Sequence, residues 1–128
     1  MSGRVVHFEI PYDDAERSAA FYRDTFGWNT MAVPGMAYTM VGTGPAGESG
    51  MPAEPGYIGG GLTPRGDVVS SPVITVEVDD IEGSVAAVEA HGGSLVHGRE
   101  PVGNMGWTAY VRDPEGNVVG LWQTAPQG

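Results

Sequence analysis

Two stretches of the chain share one pattern of apolar and polar positions. The first runs His7-Phe8-Glu9-Ile10-Pro11-Tyr12-Asp13-Asp14 and continues Ala15-Glu16-Arg17-Ser18. The second runs Val73-Ile74-Thr75-Val76-Glu77-Val78-Asp79-Asp80 and continues Ile81-Glu82-Gly83-Ser84. The offset is constant, so residue 7 lies opposite residue 73 and residue 12 opposite residue 78. Each copy opens with a β-prone alternating run, passes two aspartates and enters a helical period. Ala15, Ala19, Tyr22 and Phe26 in one copy, and Ile81, Val85, Val88 and Gly92 in the other, each mark one face of a helix. Asp13 with Glu16, and Asp79 with Glu82, have the spacing of a capping box at the helix start. Gly27 and Gly92-Gly93 supply the stops.

Beyond each helix the pattern turns to strands. Trp28 to Val33 and Met36 to Val41 flank a Pro34-Gly35 turn, and Tyr57 to Thr63 follows a Gly/Pro-rich loop over 44–56. In the second copy Ser94 to His97, Trp107 to Arg112 and Val118 to Gln123 are the strands. The last two are joined by the strong turn signal Asp113-Pro114-Glu115-Gly116-Asn117. The predicted fold is therefore α+β: one domain over 1–128, built from two βαβββ repeats, at 4–63 and 72–124, with a linker at 64–71.

Composition narrows what such a domain does. At 128 residues and 41% apolar, the chain has enough material for one buried core. No apolar run approaches a membrane span. The first residues do not read as a signal peptide, because Glu9, Asp13 and Asp14 interrupt the apolar stretch after Arg4. A cytoplasmic protein is expected. The absence of cysteine removes disulfides, thiolate nucleophiles and Cys-based zinc sites. A net charge of −10, from 16 acidic and 6 basic residues, has the wrong sign for gripping nucleic-acid phosphates. It favours solubility, and it would draw in a cationic small molecule.

Taken in order, Phe8-Glu9-Ile10-Pro11, Asp13-Asp14, Phe21-Tyr22, Phe26-Gly27-Trp28, Val78-Asp79-Asp80, Gly92-Gly93, Gly106-Trp107 and Asp113-Pro114-Glu115-Gly116-Asn117 span nearly the whole chain. With these motifs the chain resembles the vicinal oxygen chelate superfamily, which includes glyoxalase I, bleomycin-resistance proteins and extradiol dioxygenases. The resemblance is strongest to its small glyoxalase-like proteins. It implies a curled mixed sheet around a central groove, a small-molecule ligand and usually a homodimer. Fold alone does not assign the function.

Metal-dependent members of that superfamily place one ligand on each of four strands. The resemblance maps these onto His7, about Gly61, Val73 and about Gly120. Only His7 carries a donor atom, whereas a zinc or iron site needs three or more. No metal ligand set is therefore assigned. A weak divalent site made of His7, Glu9 and Glu77 is the alternative, since alternation puts His7 with Glu9 and Thr75 with Glu77 on matching faces. His91 falls at a helix C-terminus and His97 near the end of a short strand, so neither adds a ligand.

His7 and Glu9 are the candidate catalytic pair. Histidine titrates near neutrality, and a neighbouring carboxylate tunes or orients it. Against this stands a purely structural role, in which Glu9 bonds a strand end and His7 lines the pocket. Candidate ligand-binding residues are Tyr38, Met40, Gly61, Thr75, Glu77, Trp107, Gly120 and Trp122, a set rich in rings and methionine that suits a flat, partly apolar molecule. Each ring has core packing as its competing explanation, and Trp28 reads as scaffold. Gly59-Gly60-Gly61 lacks the helix and the Lys-Ser/Thr of a phosphate loop. Glycine at 61 and 120 is expected to widen the groove. Two functions follow: a metal-independent binder that sequesters a small molecule, or a lyase or isomerase working through His7 and Glu9. A degenerate, structural partner is the third.

Overall fold

The computed structural model describes residues 3–44 and 56–126. Most of the loop expected over 44–56 lies outside them. The element order is β1 (Val5–Tyr12), α1 (Ala15–Phe26), β2 (Asn29–Ala32), β3 (Thr39–Gly42), β4 (Gly59–Pro64), β5 (Val73–Glu77), α2 (Ile81–Ala90), β6 (Ser94–Val102), β7 (Gly106–Arg112) and β8 (Val118–Thr124). This is the α+β fold of two βαβββ repeats that the pattern predicts. No described helix is long and apolar enough to cross a membrane.

The chain divides into two compact units. The first takes in His7–Pro72. Its strands lie in the order β2-β3-β4-β1, with β1 parallel to β4 and the other neighbours antiparallel. Period-two alternation sends Phe8 and Ile10 of β1 to the α1 side, where they pack with Tyr12, Tyr22 and Trp28 around buried Ala19, Val41 and Leu62. Trp28 stacks on Tyr22 with ring centroids 4.7 Å apart, so it is part of that core. Of the expected α1 stripe only Ala19 and Tyr22 are in the core. Ala15 is exposed and Phe26 is 60% exposed, because the short β2 covers little of the helix's last turn.

The second unit is built from Val73 onward and is joined by the start of the chain. The Gly3 N–H donates to Glu77 O at 2.7 Å, and the Glu77 N–H to Arg4 O at 2.9 Å. Its strand order is β5-β8-β7-β6, with β5 parallel to β8. Ile81, Ala109, Val111 and Leu121 are its buried core, and Val76, Val85 and Val88 pack against them.

The caps depart from the expected spacing by one residue. Asp14, not Asp13, is the N-cap of α1 and accepts from Arg17 N at 3.0 Å; Asp80, not Asp79, caps α2 and accepts from Gly83 N at 3.1 Å. The reason is local: β1 runs through Tyr12, and the Asp13 carboxylate is turned to the Arg65 guanidinium at 3.1 Å. Gly27 ends α1 in the left-handed region at φ 74°, as a glycine stop requires. Strand β6 is longer than expected, continuing past His97 through Pro101 to Val102 with two register irregularities against β7. Its place at the end of the strand order accounts for this, because an edge strand tolerates bulges and proline.

Candidate functional site

In the first unit the face of the sheet turned away from α1 carries five of the candidate residues. The register pairs His7 with Gly59, Glu9 with Gly61, and Met40 with Gly61, so alternation puts His7, Glu9, Gly61 and Met40 on one side. Tyr38 joins them two residues before Met40. The Pro34-Gly35 turn delivers it: Met36 N–H donates to Val33 O at 3.2 Å, with Gly35 at φ 76°, which fits proline and glycine at the central turn positions. The Val33 N–H then donates to Tyr38 O at 2.9 Å and fixes the backbone of the tyrosine.

The Tyr38 hydroxyl and His7 Nε2 form a hydrogen bond of 2.8 Å, with the two rings nearly parallel at 12°. Which atom donates depends on which imidazole nitrogen holds the proton. Burial pushes the His7 imidazole below its ordinary 6.5, and the Glu9 carboxylate opposes that shift. His7 is consequently neutral at pH 7, beside a carboxylate that would favour its charged form. Glu9 itself is 8% exposed, one of two buried polar residues among those described.

Gly60 and Gly61 make room for rings on opposite sides of β4. A Cβ on Gly60 would strike the Phe8 ring on the α1 side, and a Cβ on Gly61 would fall on the Tyr38 hydroxyl on the other. Gly61 therefore does not widen a groove, as its sequence position suggested. Its missing side chain is replaced by Tyr38. Met31, opposite Met40 in the β2–β3 register, adds a second thioether to this face and is 67% exposed. The alternating pattern of Met31 with Met40 across the turn is the signal that would have found it.

The second unit holds the remaining candidates, and it separates them. Thr75 is in register with Gly120, and Glu77 with Trp122. A Cβ on Gly120 would meet the Thr75 hydroxyl at 2.8 Å, so here too a hydroxyl fills what glycine leaves. The Trp122 indole N–H donates to Thr124 Oγ1 at 3.0 Å, and Gly106 makes room for its ring. Trp107 is not with them. It is in register with Gln123 and packs on the Ile81 core on the α2 side, with the Arg99 guanidinium 5.3 Å over its ring. The odd-numbered positions of β7 face α2, which removes Trp107 from the candidate set. His91 hydrogen bonds to Ala87 O at 2.8 Å at the end of α2, and His97 pairs with Glu100 at 3.0 Å.

Of the positions onto which the resemblance maps metal ligands, about Gly61, Val73 and about Gly120 carry no donor atom, which leaves His7. The Tyr38 and Thr75 hydroxyls that fill the glycine positions do not restore a zinc- or iron-type set. Among the described residues no three His, Cys, Asp or Glu side chains gather to hold an ion. The residues present do not fit the superfamily's metal.

The bleomycin resistance protein-like N-terminal family matches residues 4–44. A glyoxylase-like domain-containing protein of Didymella fabae is 30% identical over 123 residues, covering 92% of this chain and 91% of that one. The chain belongs to the glyoxalase/bleomycin-resistance/dioxygenase superfamily. Solved structures share its fold at lower identity. A member from Vibrio splendidus is similar at a TM-score of 0.60, 19% identical, over 95% of this chain and 98% of its own. Methylmalonyl-CoA epimerase of Streptomyces coelicolor, in complex with 2-nitronate-propionyl-CoA, is similar at a TM-score of 0.64, 18% identical, over 98% of this chain and all of its own.

Proposed function

We propose that this superfamily member is a metal-independent lyase or isomerase that shifts a proton on a small organic molecule. The observation that supports this most is His7 itself, held neutral by burial beside the buried Glu9 carboxylate. The neutral imidazole is the base that ends up holding a proton when a carbon acid is ionised; the imidazolium so formed is stabilised by Glu9; a proton then returns to the same or a neighbouring carbon. A pair of groups in such an environment is the usual mark of an acid–base site. The epimerase of the same fold belongs to this broad reaction class by name. The location of Trp107 on the α2 side, by contrast, weakens a site built mainly of stacked rings.

A second reading is favoured by Met31 and Met40, 67% and 39% exposed on the same face as His7: an adaptable apolar surface that holds a ligand without changing it, as a sequestering binder does. In either reading the protein works in the cytoplasm as a homodimer.

Metal-stripped protein in D2O, incubated with a panel of small thioesters, 2-oxo acids and aldehydes and followed by proton NMR, decides between them. The lyase or isomerase reading expects loss of an α-proton signal in at least one class. It expects the rate to fall on the order of a hundredfold in His7→Ala, and to fall in Glu9→Gln. Ligand-induced thermal stabilisation with no exchange across the panel would establish the binder instead.

A further inference from the structure

Deepening the acid–base reading above, on which it rests, we infer that Tyr38 is the residue that meets the substrate, with His7 as its base and Glu9 as the charge that supports His7. The Tyr38 hydroxyl stands where the side chain of residue 61 would begin, and it lies 2.8 Å from His7 Nε2. The space beside position 61, where glycine leaves no side chain, is thus taken by the Tyr38 phenol. Its backbone is held by the Val33–Tyr38 hydrogen bond of the β2–β3 turn. The order phenol, imidazole, carboxylate repeats the logic of an activated hydroxyl: a reactive O–H, a base in hydrogen-bond reach, and a third group that favours the protonated base.

In this arrangement the phenol donates to Nε2, and the proton of neutral His7 sits on Nδ1. When a carbon acid binds, its C–H bond breaks and the electron pair stays on the substrate as an enolate. The proton bonds to the Tyr38 oxygen while the proton of Tyr38 passes to Nε2. The reverse transfer returns a proton to carbon, and no oxidant, reductant or metal takes part. Tyr38 is half-buried, as is His7 beside it.

The chain contains neither lysine nor cysteine, which removes two side chains that compete with phenols for an electrophile, and peptide mapping tells tyrosine adducts from those of its three histidines. The probe is an aryl sulfonyl fluoride: the phenol oxygen bonds to sulfur, fluoride leaves, and the phenol proton goes to His7. Peptide mapping should find Tyr38 labelled roughly tenfold or more faster than Tyr12, Tyr22, Tyr57 or Tyr110. The rate should climb with pH through a transition below the ordinary histidine value, and His7→Phe should abolish the advantage. In case His7→Phe does not fold, the pH profile of the unmutated protein carries the same information. A Tyr38 rate no greater than that of the other tyrosines, or a Tyr38 advantage that survives in folded His7→Phe, overturns the inference. Labelling reports on the pair whether or not a substrate turns over. A reactive Tyr38 with no isotope exchange across the panel would therefore remove the proposed reaction and leave the pair standing.

Discussion

Tyr38 reaches His7 because Gly61 has no side chain: a single Cβ at position 61 would fall on the tyrosine hydroxyl. The phenol and the glycine are thus one structural unit, although Tyr38 comes just before β3 and Gly61 lies on β4. Gly61→Ala is expected to push Tyr38 off His7 and to cost about 1–3 kcal/mol through overpacking. In Gly61→Ala/Tyr38→Ala that cost should largely vanish, giving a coupling on the order of 1 kcal/mol or more between the two sites. Urea denaturation of the four proteins measures it, and strict additivity would show that the residues do not compete for this space.

The helix caps offer a test of register. Asp80→Ala is expected to destabilise by about 1 kcal/mol, because it frees the Gly83 N–H at the start of α2. Asp79→Ala, one residue outside the cap, should change stability by less than about half of that. Equal losses for the two variants in thermal melts would argue for a different start to α2.

The burial of neutral His7 has a signed consequence for stability. Its folded-state pKa lies below the ordinary 6.5, so below pH 6.5 the unfolded chain binds a proton that the folded chain does not. The contribution is fully present above 6.5, is lost as the pH falls toward the folded value, and is constant below that. The slope it adds is at most about 1.4 kcal/mol per pH unit. Denaturation midpoints between pH 8 and 5 should therefore fall more steeply in the unmutated protein than in His7→Phe. Parallel curves would mean that His7 titrates alike in both states.

Much of this protein is legible in its sequence, and the parts that are not have physical causes. The repeat around Asp13-Asp14 and Asp79-Asp80, the helices ending at Gly27 and before Gly92, and the β7–β8 turn at Asp113 all follow from local chemistry, and local chemistry is what a linear pattern records. In that turn Asp113 Oδ1 accepts from the N–H groups of Glu115 and Asn117, both at 2.9 Å. Alternation also puts His7 and Glu9 on one face of β1. It does not reveal that the odd positions of β7 face α2; the β7–β8 register does, setting Trp107 opposite Gln123 and against the Ile81 core. Nor does it reveal that Tyr38 fills the space at Gly61. That contact joins positions 23 residues apart across β3 and β4, and only the strand register brings them together. Nor does the spacing alone tell which of two adjacent aspartates caps a helix: Asp14 and Asp80 do, while Asp13 in the first copy pairs with Arg65.

The most direct test of the acid–base account is the titration of His7 followed by nitrogen-15 NMR of its imidazole. The account predicts a pKa below 6.5, a neutral form with the proton on Nδ1, and an Nε2 signal that moves when Tyr38→Phe removes its hydrogen-bond partner. A His7 that titrates at or above 6.5, or an Nε2 signal indifferent to Tyr38→Phe, would contradict it.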